Sequence, residues 1–135
     1  MVKISPLSSL RPSKELVTKV PTKAYSQYTK QEIKKEKESN KYSFLNIIDL
    51  KRETNKKTNY TSIKNKIEVF KSKNILQVDD DERFYVYQQV SKKHTFTGLI
   101  CSVSLEDYKN EKIKIHEKII EKREILFTKY LSVTK

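Results

Sequence analysis

The sequence predicts an α+β fold: a small mixed sheet with a β-hairpin packed by amphipathic helices, in a domain that is expected to be incomplete. Three observations carry this reading. Two runs rich in strand formers, 83–90 and 95–103, flank a four-residue linker, Ser91-Lys92-Lys93-His94, of ordinary hairpin length. Over 60–73, Ile63, Ile67 and Phe70 recur at helical spacing with Tyr60 one turn earlier, and Lys64, Lys66 and Lys71 point away. A last helix over 114–131 carries Ile115, Ile119, Ile120, Leu126, Phe127, Tyr130 and Leu131 on a stripe too broad for what the sequence offers to cover it.

The elements follow in order. Residues 1–28 read as an extended lead holding all three prolines, with a short helical turn at 14–17 for which Ser13 is the expected N-cap. Residues 29–135 form the α+β segment. Thr29-Lys30-Gln31-Glu32 has capping-box spacing and should start a charged, peripheral helix running to residue 39. The apolar run Tyr42-Ser43-Phe44-Leu45-Asn46-Ile47-Ile48 reads as a buried strand. Residues 51–59 are polar and read as an exposed connection. A short strand is expected at 76–78, and Asp79-Asp80-Asp81-Glu82 should form a solvated turn before the hairpin. Ser104 is placed to cap a turn over 105–108.

Composition bounds the function. Apolar residues make up 36% of the chain and charged residues 34%, more polar than an average globular domain. No apolar stretch approaches the roughly 20 residues that cross a bilayer, and the N-terminus has no apolar core of a secretory signal. The expected location is cytoplasmic, with no membrane partner. The single cysteine, Cys101, sits in an apolar run and is expected to be a buried, unreactive thiol. The net charge of +12 comes from 25 lysines and only 4 arginines, whereas base-reading proteins favour arginine. With one Gly, one Ala and no Trp against abundant Lys, Ile and Tyr, the balance matches the codon bias of an AT-rich genome. Non-specific, salt-sensitive nucleic-acid binding follows from such a charge without selection for it.

Few residues mark chemistry. The acidic run 79–82 lacks the alternate spacing and mid-loop glycine of a calcium loop. His116-Glu117 begins like a zinc-protease helix, but the second histidine would fall at Ile120, so no metal site is expected. No glycine-rich phosphate loop exists around the single Gly98, and no nucleophile elbow is present. No cofactor is indicated. The last helix is dense in titratable groups, with His116, Glu117, Glu121, Arg123 and Glu124, and a solvated face accounts for them when they are taken alone.

These residues also carry a resemblance. The stretches Leu10-Arg11-Pro12, Tyr25-Ser26-Gln27-Tyr28, 40–45, Phe84-Tyr85-Val86-Tyr87 with Thr97-Gly98-Leu99-Ile100, and 107–117 resemble, in order, domain-of-unknown-function family 1015. The resemblance implies that this chain corresponds to the N-terminal portion of a longer protein. It also implies a later Asp-Gly-His-His-Arg motif, similar to the active-site region of ParB-like proteins and free-serine kinases, which this sequence lacks. Phosphoryl transfer on serine or phosphoserine is the implied chemistry, and His116, Glu117 and Arg123 are the implied ligand contacts. The family pattern has a threonine where this chain has Ile119, which would remove a hydroxyl contact. The expected partner is a downstream C-terminal fragment or a second copy meeting the exposed apolar helix.

Overall fold

In the computed structural model the chain is described over residues 1–48, 60–114 and 120–134. It divides into two compact units, Met1–Leu10 with Val78–Ile119, and Arg11–Gln77 with Ile120–Lys135. The expected exposed connection at 51–59 and residues 115–119 of the expected last helix lie outside the described residues, but Lys114 and Ile120 are not helical, so the helix runs over Glu121–Thr134 rather than 114–131.

The second unit holds the apolar core. Strand β2 (Leu10–Pro12) pairs with β3 (Leu76–Val78), and the Ser13 amide extends the pairing by donating to the Ile75 carbonyl at 3.1 Å. Ser13 does precede a turn of 3-10 helix, Lys14–Leu16, but its hydroxyl makes no cap bond. Helix α1 (Lys30–Ser39) begins at a full capping box. The Glu32 amide donates to the Thr29 hydroxyl at 3.2 Å, and the Thr29 amide donates to the Glu32 carboxylate at 2.7 Å.

The run 42–48 is not a strand. It forms a 3-10 turn, Phe44–Asn46, with Leu45 and Ile47 fully buried. Polar side chains select the turn by bonding nearby backbone. The Asn40 side-chain oxygen accepts from the Tyr42 amide at 3.1 Å, its side-chain amide donates to the Lys19 carbonyl at 2.8 Å, and the Asn46 side chain donates to the Asn40 carbonyl at 3.0 Å. Lys19 and Lys41 stand over the Tyr42 ring at 5.7 and 5.1 Å.

Helix α2 (Tyr60–Ser72) buries Ile63 and Phe70 as its spacing predicts. It stops at Asn74, whose φ of 53° is left-handed, and the Ile75 amide closes the end by donating back to the Phe70 carbonyl at 2.9 Å. Helix α4 (Glu121–Thr134) packs along α2, with Tyr130 edge-on to Tyr60 at 6.1 Å between centroids. Val20, Ile47, Ile63, Phe70, Ile75 and Leu76 form one cluster.

The first unit is built from short antiparallel ladders. Strand β1 (Ile4–Ser5) pairs with β6 (Ser102–Val103), Leu7 bridges Arg83, and β4 (Tyr85–Val90) pairs with β5 (Thr95–Ile100). The expected strand 95–103 is thus interrupted at Cys101, which is half-buried rather than enclosed. Helix α3 (Leu105–Lys109) is capped by Ser104, whose hydroxyl accepts from the Asp107 amide at 3.3 Å. It ends at Glu111, again left-handed at φ 57°.

Candidate functional site

Of the three residues expected to contact a ligand, His116 and Glu117 lie outside the described residues, as does Ile119. Arg123 stands in the first turn of α4, exposed, with its amide donating to the Ile120 carbonyl at 2.8 Å. Glu121 and Glu124 are exposed on the same helix, so this part of the titratable cluster is a solvated face. Among the described residues, no three His, Cys, Asp or Glu side chains are grouped to hold a metal ion. No helix among them is long and apolar enough to cross a membrane.

The buried charge lies elsewhere, at two carboxylates of the first unit. Asp79 was expected in a solvated turn, yet it is only 8% exposed. Its carboxylate accepts from the Tyr85 hydroxyl at 2.5 Å and the Ser9 hydroxyl at 3.2 Å, while its amide donates to the Ser9 carbonyl at 3.0 Å. The Ser9 amide in turn donates to the Tyr85 hydroxyl at 3.2 Å. Asp107, at 4% exposure, accepts from the Lys3 amide at 2.8 Å and from the Lys112 ammonium at 2.7 Å. The Lys112 hydrogen bond, and after it the Lys3 amide, hold its carboxyl below the ordinary aspartate value. Both carboxylates are satisfied by donors that tie the N-terminal residues to the rest of the unit. That arrangement fixes a backbone. Only the tyrosine six residues after Asp79 hinted at such a tie in the sequence, since the serine partner lies 70 residues away.

The other feature of the first unit is apolar and uncovered. The described residues of this unit bury Asp79 and Asp107 and no hydrophobic side chain at all. Among the described residues, both faces of the hairpin are exposed. By its register, one face carries Val86, Val90 and Leu99, and the other carries Tyr87, Phe96 and Ile100, all between 47% and 74% exposed. In the second unit, Ile125, Leu126, Phe127 and Leu131 of α4 are likewise exposed. Of the stripe expected of the last helix, Leu126, Phe127 and Leu131 are thus exposed, whereas Tyr130 is half-buried against the core beside Tyr60.

The model of a family described as a protein of unknown function (DUF1015) covers residues 4–135. No curated protein and no solved structure matches the chain.

Proposed function

The chain belongs to the DUF1015 family, and on that footing we propose that it is an assembly segment, supplying strand and helix surface to a larger body and performing no catalysis alone. The observation that carries this is the first unit, which among its described residues exposes seven large hydrophobic side chains over 84–100 and buries none. A two-stranded hairpin with both faces in water is marginal at best, and apolar patches of this kind mark interaction surfaces. The exposed side of α4 repeats the pattern in the second unit. The phosphoryl chemistry that the family resemblance implies, directed at serine or phosphoserine, then belongs to the completed assembly, with His116, Glu117 and Arg123 as its contacts from this chain. A nucleic-acid role for the lysines rests on net charge alone, and β4 and β5 contain no charged residue.

Co-expression tests this directly. The chain is produced alone and together with the C-terminal portion of a longer relative, and each product is titrated with a hydrophobic dye and assayed by complementation of a serine auxotroph. The chain alone should bind dye strongly and associate, the complex should bind several-fold less, and only the pair should support growth. A dye-silent monomer that unfolds in one cooperative transition would overturn the assembly reading. A soluble complex without growth would remove the serine chemistry.

A further inference from the structure

We propose that β4 is a homotypic edge, pairing antiparallel with β4 of a second copy of this chain about a two-fold axis at Tyr87. This rests on the assembly reading above and names one partner for it. The first support is backbone direction. The Ser91 amide donates to the His94 carbonyl at 2.8 Å at the turn, and the register runs from Val90↔Thr95 to Tyr85↔Ile100. Alternation then directs the backbone groups of Tyr85, Tyr87 and Gln89 to β5, and those of Val86, Gln88 and Val90 outward. The hairpin is a two-stranded sheet, so the outward groups of β4 have no strand partner among the described residues.

The second support is composition. Natural edges are blunted by lysine, proline or inward charge, and Tyr-Val-Tyr-Gln-Gln-Val has none of these. The third is charge, and it selects the occupant. Asp81, which also holds an exposed ion pair with Arg83 at 3.3 Å, and Glu82 precede the edge, and Lys92 and Lys93 follow it, all exposed. A strand with acids at one end and bases at the other is complementary to its own inverted copy. An antiparallel ladder that pairs Val86 with Gln88 of the second copy sets Tyr87 opposite Tyr87, Phe84 opposite Val90, and Glu82 opposite Lys92. Every position has its reciprocal, as a two-fold requires. The tyrosines meet as a non-hydrogen-bonded aromatic pair, a favourable cross-strand combination. The outer edge of β5 offers no such match, because it is followed by Cys101-Ser102-Val103 with no acid to face Lys93.

The net charge of +12 on each copy opposes association at long range, but at physiological ionic strength the Debye length is about 8 Å, which screens that repulsion and leaves adjacent pairs in force. The edge is short, so association should be reversible and depend on concentration.

Sedimentation velocity of the intact chain at physiological salt, across a concentration series, provides the test, with two charge-reversed variants: Lys92→Glu with Lys93→Glu, and Asp81→Lys with Glu82→Lys. All four positions are exposed, so both variants should keep the fold. The natural chain should shift from monomer to dimer as concentration rises, each variant alone should stay monomeric over the same range, and a mixture of the two should recover the dimer. A natural chain that remains monomeric overturns the proposal, as do variants that still dimerise or a mixture that does not. Association that persists in both variants would leave the assembly reading standing and move the contact away from β4.

Discussion

Asp107 shows how one side chain can anchor a unit that has no buried apolar residue among those described. Its carboxylate is held below the ordinary value of 3.8 by Lys112 and by the Lys3 amide. A lowered native value means that the stabilisation is complete above 3.8 and is lost as pH falls through the lower folded value. Asp107→Asn keeps the shape and an acceptor for the Lys3 amide but gives up the ion pair. The variant should therefore exchange the amide hydrogens of Lys3 and Lys112 faster at neutral pH. It should also lack the further loss of protection that the natural chain shows in acid, and an equally steep acid dependence in the variant would contradict the assignment. Ser43 is the opposite case. It is fully buried, and among the described residues its hydroxyl has no hydrogen-bond partner. Leaving such a group unsatisfied costs about 1–3 kcal/mol. Ser43→Ala should therefore be neutral or raise stability by about 1 kcal/mol, read from the denaturant midpoint, while Leu45→Ala beside it should lose about 2–5 kcal/mol.

At the scale of elements, what was legible in the sequence divides by the range of the interaction responsible. The capping box at Thr29 and Glu32, the core face of α2 and the Ser104 cap are local signals, and each is present at the residue expected. Residues 42–48 read as a strand yet fold as a turn, because a short apolar run has no periodicity to separate strand from helical turn. The side chains of Asn40 and Asn46 made the choice. Asp79 reads as solvated because, beside the nearby Tyr85, its partner Ser9 is distant in sequence. Helix ends were hard to see for a compositional reason. With one glycine in 135 residues, the left-handed positions that close α2 and α3 fall to Asn74 and Glu111. Asparagine tolerates that geometry, whereas a glutamate pays about 1–2 kcal/mol for it. Glu111→Gly should thus steady α3 by about 0.5–1 kcal/mol, the gain being reduced by the greater freedom of glycine in the unfolded chain. Slower exchange of the Lys112 amide, which donates to the Asp107 carbonyl at 3.0 Å, is the measurement, and faster exchange would show that the glutamate is not strained there.

Across the whole molecule, the described residues bury seven hydrophobic side chains, and all seven fall between Val20 and Leu76 in the second unit. Protection from hydrogen exchange follows buried apolar contact and local density, so it should be unequal along the chain. Amides of α2 and of the turn around Leu45 should exchange through the rarest openings. Those of β4 and β5 have cross-strand hydrogen bonds but no covering layer, and should exchange orders of magnitude faster in the isolated chain. The two proposals separate in the same experiment. If surface is covered by further polypeptide, co-expression should slow exchange throughout β4, β5 and the exposed side of α4. If copies pair through β4, raising the concentration of the chain alone should slow the outward amides of Val86, Gln88 and Val90 while leaving those of Thr97 and Leu99 on the far edge unchanged. Uniform protection in the dilute chain, with the hairpin as slow as α2, would mean that the hairpin is stable without a covering surface. The apolar faces would then have lost their claim to be an interface.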